Sequence, residues 1–144
     1  MSFHLGANTS NNVRAASTNA ITACINTGST NPAGQLLIYT GSQPSTPETT
    51  ATGTLLVTVN FANPAFATSD STGTAGLASG TAISATISTS GTAGWFRVVD
   101  RNGYDMFDGS IGVSGSGADM IFDSVAFVAG GTCTINSMSI QTPM

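Results

Sequence analysis

Charged side chains are scarce in this sequence. Its 144 residues include no lysine, three arginines (Arg14, Arg97 and Arg101) and seven acidic residues, for a formal net charge of −4. Charged residues make up 7% of the chain, against about 25% in ordinary soluble domains. Nucleic acids and anionic membranes both attract basic patches. The lack of any basic stripe therefore argues against a nucleic-acid partner and disfavours a membrane surface.

Histidine and cysteine are also rare. His4 is the one histidine, and nothing near it in sequence would orient its imidazole as Cys-His or Ser-His-Asp chemistry requires. A zinc site needs three or four ligands, which one histidine and two distant cysteines do not supply. We therefore predict that the chain is not an enzyme and holds no metal or cofactor. For Cys24 and Cys133 we expect buried free thiols; a disulfide is the alternative.

Long apolar runs are missing too. No run approaches 18 residues, so no membrane-spanning helix is predicted. The opening residues, MSFHLGANTS, show neither the basic nor the apolar segment of a signal peptide. These features predict a protein that is synthesised in the cytoplasm.

One α-helix is expected, over residues 11–27, with Gly28 placed where helices commonly stop. Its apolar positions recur at helical spacing. They are Val13, Ala16, Ala20, Ile21, Cys24 and Ile25. Because this apolar face is small, we expect it to pack on something flat, either a sheet or a neighbouring subunit.

The remainder of the chain favours β-structure. Seven segments have strand-like apolar runs or alternation; they span residues 35–40, 54–61, 81–88, 94–100, 104–111, 119–128 and 132–140. Short strands between Gly- and Ser-rich breaks are typical of sandwiches and barrels. We predict a mainly β protein, an antiparallel β-sandwich of jelly-roll or immunoglobulin-like type, with one N-terminal helix. The last segment is expected to bulge or break near Asn136.

The predicted organisation is a single structural unit, as the chain length suggests. An N-terminal arm and helix occupy residues 1–33, and the sandwich occupies residues 34–144. Between the first two strands lies a stretch rich in Thr, Ser and Pro, far longer than a tight hairpin needs. Pro44 and Pro47 restrict the backbone to extended geometry there, so we expect an ordered surface segment that a partner covers.

The segment DRNGYDMFDG, residues 100–109, superficially resembles a calcium-binding loop. Its spacing departs from that pattern at Gly103 and Tyr104, and no glutamate closes it. We interpret it as a β-hairpin with Asn102-Gly103 as a type I′ turn, and a surface calcium ion is the alternative.

Two further readings of this region concern carbohydrate chemistry. Asp105 and Asp108 could form a glycosidase pair, but strand residues three apart point to opposite faces, which argues against it. Four aromatic residues, Trp95, Phe96, Tyr104 and Phe107, could form a sugar-stacking platform. Cross-strand packing inside the sandwich is the favoured interpretation.

Three segments resemble a family of small proteins encoded among the virion-structure genes of tailed phages and prophages. They are residues 35–66, 91–120 and 130–140, and the most specific part is IYTGSQP with the following TGTLL. AGWFR and FDGS support the resemblance, whereas residues 67–90 match the family pattern loosely. The resemblance covers most of the chain and transfers no catalytic residue.

The resemblance implies a capsid decoration, or cement, protein located on the capsid surface of the virion. Its expected partners are the major capsid protein and further copies of itself, with a homo-trimer as the natural closed form. The alternative is a glycan- or receptor-binding β-sandwich module of a phage tail fibre or spike, acting through the region of Trp95 and Tyr104. The missing lysines also leave edge strands without a common protection, which favours coverage by a partner.

Overall fold

The structure is a computed structural model that describes residues 7–142, and the side chains from residue 11 onward. In this part of the chain one helix, α1 (Ala7–Ile25), precedes ten strands. The strands are β1 (Gln35–Thr40), β2 (Leu55–Asn60), β3 (Thr74–Gly76), β4 (Ile83–Thr86), β5 (Gly91–Val99), β6 (Asp105–Gly112), β7 (Met120–Ile121), β8 (Ala126–Phe127), β9 (Thr132–Ile135) and β10 (Ser139–Gln141). The prediction of a mainly β fold with one N-terminal helix is confirmed.

Six strands form the main sheet. Its order is β2-β1-β5-β6-β7, and β8 pairs with the first residues of β5. Two further ribbons, β10-β3 and β4-β9, complete the β-structure. These pairings are antiparallel except for β6 with β7, which run parallel. β1 and β5 lie at the centre of the sheet. The apolar run of β5 is buried on both sides, and β1 is buried on one side and half-buried on the other.

The hydrophobic core lies between one face of the main sheet and the layer formed by the ribbons. Leu36, Ile38, Phe96 and Val98 contribute from the sheet, and the β4-β9 ribbon adds apolar side chains such as Ile135. The core therefore lies between two layers of β-structure. On the opposite face of β5, Trp95 and Arg97 are also buried.

Most strand boundaries follow the sequence pattern closely. β1 spans the predicted residues, and the expected break near Asn136 separates β9 from β10. The predicted strand 119–128 is instead two short strands, β7 and β8, with a bend at Asp123 between them. β3 was not predicted because Thr74–Gly76 lies inside a Gly- and Ser-rich stretch that reads as a break.

The helix differs from the prediction in extent and in orientation. It begins four residues earlier and ends two residues earlier than expected. Of the apolar positions predicted to pack, only Ile25 is buried, whereas Val13 and Ile21 are 49% and 37% exposed. The side turned toward the protein carries Thr18 and Thr22 instead. In the described part of the chain, no helix is long and apolar enough to span a membrane.

Candidate functional site

The second face of the main sheet carries a buried ion cluster around Arg97. The guanidinium of Arg97 donates two hydrogen bonds to Asp108, from Nε at 2.7 Å and from Nη2 at 2.8 Å. A third, from Nη1, reaches Asp105 at 2.8 Å. The Arg97 and Asp108 side chains are 3% and 5% exposed, and that of Asp105 is 34% exposed. Paired carboxylates, foremost the hydrogen bond to Asp108, raise the pKa of Arg97.

A β-bulge brings the two carboxylates to the same side of the sheet. Arg97 pairs with Asp108 across the ladder, and Val99 pairs with Asp105, so Met106 is an extra residue in β6. Without the bulge, residues three apart would point to opposite faces. The expectation that Asp105 and Asp108 diverge is therefore wrong. Each oxygen of Asp108 accepts a hydrogen bond from the guanidinium, so the two side chains form a bidentate pair.

Tyr39 and Trp95 extend the cluster across β1 and β5. Their rings stack with centroids 4.6 Å apart, and Cζ of Arg97 lies 5.4 Å from the centre of the Trp95 ring. The indole Nε1 of Trp95 donates to the carbonyl oxygen of Thr40 at 3.1 Å. Burial raises the pKa of Tyr39, the nearby Arg97 charge opposes the rise, and the Asp105 and Asp108 carboxylates add to it.

The connection between β1 and β2, residues 41–54, passes over this face. We call it the β1-β2 loop. Together with the sheet it borders a solvent-open cavity of about 370 Å³. Tyr39, Arg97 and Asp105 line the cavity from the sheet, and Glu48 and Thr50 line it from the loop.

Internal hydrogen bonds hold the β1-β2 loop in one conformation. At its base, Thr40 N donates to the Thr54 carbonyl at 3.0 Å, and Thr54 N donates to Thr40 Oγ1 at 2.9 Å. Further along, Thr52 Oγ1 donates to the Ser42 carbonyl at 3.1 Å, and Thr49 N donates to the Thr46 carbonyl at 3.1 Å. The loop is therefore tied to itself and to the end of β1 by hydrogen bonds, yet most of its side chains are exposed.

Gly94 fixes where the loop leaves the sheet. A Cβ atom at this position would collide with the carbonyl oxygen of Gly41, so the backbone of the loop can approach β5 only because Gly94 has no side chain. Any larger residue at position 94 would push the start of the loop away from the Tyr39 and Trp95 stack.

The acidic segment at residues 100–104 is a hairpin turn, as predicted, but not of type I′. That turn requires positive φ at both central residues, and no non-glycine residue in the described structure has one. Gly103 N instead donates to the Asp100 carbonyl at 3.1 Å, and Gly103 alone adopts a positive φ of 85°. The turn is a three-residue loop that ends in a left-handed glycine.

The carboxylate of Asp100 is used within this turn. It accepts hydrogen bonds from Asn102 N at 2.8 Å and from Tyr104 N at 2.9 Å, and the residue is 5% exposed. Asn102 Oδ1 in turn accepts from Ser29 N at 3.1 Å, which ties the hairpin to the segment between α1 and β1.

Within residues 11–142, no group of three or more His, Cys, Asp or Glu side chains could hold a metal ion.

The four aromatic residues do not form a platform. Trp95 is 0% exposed, and Phe96 packs edge-on against Phe107 at 6.5 Å on the opposite face. Tyr104 alone is exposed, at 70%. Cross-strand packing, the favoured interpretation, is what the structure shows for Trp95, Phe96 and Phe107. A sugar could reach Trp95 only if the stack with Tyr39 opened.

The cysteines are both free, and only one is buried. Cys133 is 3% exposed, and burial raises the pKa of its thiol to about 11. Cys24 is exposed on α1, so the prediction of two buried thiols is wrong for this residue. It is exposed because the helix turns that side toward solvent. His4 lies outside the described residues.

A second, larger cavity was not anticipated from the sequence. It measures about 960 Å³ and lies between the main sheet and the β10-β3 ribbon, beside the part of β6 that does not pair with β7. Its lining mixes apolar and polar side chains; Phe107, Met120, Met138 and Ile140 are among the apolar ones. Strand order decides which residues meet in this cavity, and periodicity does not reveal strand order.

No protein-family model, no curated protein and no solved structure matches this chain.

Proposed function

We propose that this chain is a virion structural protein of a tailed phage or prophage, a decoration protein that binds the outer surface of the capsid and stabilises the shell. The motif IYTGSQP, with the TGTLL that follows, is the most specific part of the resemblance to such proteins. Both motifs fall in the β1-β2 loop and its flanking strands. The ordered and exposed state of this loop is the observation that carries the proposal.

The chemistry of the loop suits a contact with another protein. Ser42, Ser45, Thr46, Thr49 and Thr50 are exposed, and Glu48 is the only charged residue between positions 41 and 54. Short hydroxyl side chains lose little conformational freedom on binding, and the loop is already held by its own hydrogen bonds, so its ordering adds little cost to association. The partner is the major capsid protein.

The cluster beneath the loop supports a structural role over a catalytic one. Arg97 and Asp108 are buried and paired with each other. Stabilisation of the shell would come from surface that the protein buries across the joints between capsid subunits, which opposes outward pressure from packaged DNA. The protein would be made in the host cytoplasm and act on the virion. The buried Trp95 lends no support to a glycan-binding tail-fibre module.

The proposal is tested with particles that contain or lack the protein. Heat-induced release of DNA should occur at a lower temperature in particles without it. Exchange of residues 43–52 for a Gly/Ser sequence should leave the solution fold intact and lower the occupancy of the protein on particles. Equal release temperatures with and without the protein would refute the stabilising role, and unchanged occupancy would refute the role of the loop.

Point substitutions give a finer test with a matched control. Ser45→Ala with Thr50→Ala removes two exposed loop hydroxyls, and Thr132→Ala with Thr134→Ala removes two exposed hydroxyls on β9. We expect the first pair to weaken capsid binding and the second pair to leave it unchanged. Equal effects of the two pairs would show that the loop is not the contact.

A further inference from the structure

The larger cavity is an opening into the hydrophobic core. We call it the β6 groove; it measures about 960 Å³ and lies between β6 and the β10-β3 ribbon. Ten hydrophobic residues pack against the core while they remain partly exposed, and six of the ten line this groove. They are Leu77, Phe107, Met120, Phe122, Met138 and Ile140. The apolar surface that the core leaves accessible is therefore concentrated at one place beside β6.

β6 has a free edge beside this groove. On one side it pairs with β5 from Asp105 to Ser110. On the other side β7 pairs with it only at Ile111 and Gly112, and no other strand between residues 7 and 142 pairs with β6. The open edge is therefore six residues long, which corresponds to about 20 Å of extended chain. Such an edge is a template for pairing with another chain.

The backbone of Asp108 offers hydrogen bonds along this edge. Ser110 N donates to Asp119 Oδ2 at 2.8 Å, so the Ser110 backbone faces the free edge. Because backbone groups alternate in direction along a strand, Phe107 and Gly109 face β5, and the N–H and C=O of Asp108 face the edge. The Asp119 carboxylate takes the place of a neighbouring strand at Ser110. Within the described chain, neither a strand nor a hydrogen-bonding side chain does so at Asp108.

The floor of the groove can accept apolar side chains of different shapes. Gly109 has no side chain, and the Phe96 ring lies where a Cβ atom at that position would be. Met120 and Met138 also line the groove, and flexible thioether side chains adapt to irregular partners. Alternate residues of a strand placed beside β6 would point toward this floor. The edge therefore requires an extended segment, and the floor favours apolar residues at every second position of it.

Charge indicates which protein supplies the segment. Three carboxylates line the groove, those of Asp108, Asp119 and Asp123, and no arginine of the described chain lines it. Asp108 is neutralised by Arg97, which leaves Asp119 and Asp123 to attract a basic residue. A second copy of this chain is a poor source of one. It has no lysine, and its three arginines lie in α1, in β5 and in the hairpin turn after β5.

From these observations we propose that the β6 groove binds an extended segment of a different protein. The segment adds a strand to the free edge of β6, which is a recurring mode of peptide recognition. Its alternate apolar residues fill the groove, and a lysine or arginine lies near Asp119 and Asp123. This inference does not depend on capsid binding, because the β1-β2 loop lies on the other face of the sheet.

Amide exchange of the isolated protein tests the edge itself. The Asp108 amide should exchange at least roughly tenfold faster than those of Phe107 and Gly109, which face β5. Nuclear magnetic resonance resolves the three amides separately. If the Asp108 amide were as protected as its neighbours, the edge would already be covered and the inference would be wrong.

A displayed library of random ten-residue peptides is the probe for binding. Selection on the immobilised full chain should enrich peptides with apolar residues at alternate positions, at least one lysine or arginine, and no proline within that stretch. Synthetic copies of these peptides should bind with a Kd on the order of 10–100 µM. At saturation they should slow the exchange of the Asp108 amide roughly tenfold or more.

Two variants with matched controls locate the binding. Asp123→Asn removes an exposed charge beside the groove and should weaken binding of the basic peptides roughly two- to fivefold. Glu48→Gln makes the same change of charge in the β1-β2 loop and should have no effect.

Met138→Gln places an amide among the apolar side chains of the groove and should weaken binding roughly fivefold or more. Its control is Val128→Gln, at a residue that is 66% exposed and outside the groove, which should bind as wild type does. Thermal unfolding of each variant checks that the fold is retained.

Three results would overturn the inference. They are a selection that enriches no peptide, enriched peptides that leave the exchange of the Asp108 amide unchanged, and equal affinities for the groove variants and their controls. Protection of Asp108 that rises with protein concentration alone would identify a second copy as the occupant, and the inference would again be wrong. Exchange of residues 43–52, which tests the capsid contact, should leave peptide binding unchanged, so the two proposals can fail separately.

Discussion

The two faces of β5 are both buried, but they are stabilised by different interactions. Phe96 and Val98 enter the hydrophobic core, where apolar surface removed from water provides the stabilisation. Trp95 and Arg97, on the alternate positions of the same strand, lie in a layer of stacked rings and paired charges. The sequence of β5 is one nearly continuous apolar run, yet its two faces lie in two different environments. The stability contributed by each face should respond differently to substitution and to pH.

The largest expected effect comes from breaking the charged layer. Arg97→Met leaves the buried Asp108 carboxylate without its counter-ion, and removal of one partner of a buried ion pair costs about 3–5 kcal/mol. Urea denaturation at neutral pH would measure this loss. The double variant Arg97→Met with Asp108→Leu removes both charges of the buried pair, leaves the more exposed Asp105, and should be clearly more stable than Arg97→Met alone. A double variant as unstable as the single one would show that packing, not charge, holds this layer.

The hydrophobic core should lose stability at alkaline pH, because the buried thiol of Cys133 ionises there. Burial raises the pKa of its thiol to about 11 from the ordinary 9.0. The folded state therefore favours the protonated thiol, so the associated stability is complete below pH 9 and is lost as the pH rises toward 11. The full loss is about 2–3 kcal/mol.

Unfolding at pH 8 and at pH 10.5 measures this alkaline loss. Cys133→Ala should show a smaller decline between the two values than wild type, because the titrating thiol is gone. Cys24→Ala changes the exposed thiol instead and should decline as wild type does. If Cys133→Ala and wild type declined equally, titration of this thiol would not be the cause of the alkaline loss of stability.

The smallest expected effect concerns an exposed carboxylate that provides a contrast with Asp108. Hydrogen bonds from the Ser110 hydroxyl and backbone lower the pKa of Asp119. Its stabilising contribution is present above the ordinary pKa near 3.8 and is lost as pH falls through the lowered value. Because Asp119 is exposed, Asp119→Asn should cost under about 1 kcal/mol at pH 7 and less than that at pH 2.

Parallel melts of wild type and Asp119→Asn at the two pH values test this. The Ser110→Ala variant removes one of the same hydrogen bonds and should lose a similar amount of stability. If Asp119→Asn lost as much stability at pH 7 as Arg97→Met, solvent exposure would not weaken the stabilising contribution of this carboxylate as we expect.

The sequence alone predicted those elements whose pattern is local. β1 matches its six-residue apolar run, and Gly28 marks the end of the helical region, because such signals depend on residues close in the chain. The turn at Asn102-Gly103 was placed correctly but assigned the wrong type. Only the contacts of the Asn102 side chain with the segment before β1 show what that residue does.

Features that depend on distant partners could not be predicted. Periodicity identified an apolar side of α1 but not the direction it faces, since Thr18 finds partners 55 and 124 residues away. The bulge at Met106 is set by pairing with β5, and it reverses the expected positions of Asp105 and Asp108. For the same reason, the cavity beneath the β1-β2 loop had no signal in the sequence.

The position of the β1-β2 loop has a mechanical consequence. The loop joins two neighbouring antiparallel strands, and one of them, β1, is hydrogen-bonded on both sides, to β2 and to β5. A force that pulls the loop along the strand direction pulls β1 and β2 together, so it loads the ladder between β1 and β5 in shear, and the hydrogen bonds of that ladder resist together. Peeling from an edge would break them one at a time. An attachment at this loop would therefore transmit tension directly into the most strongly paired part of the sheet.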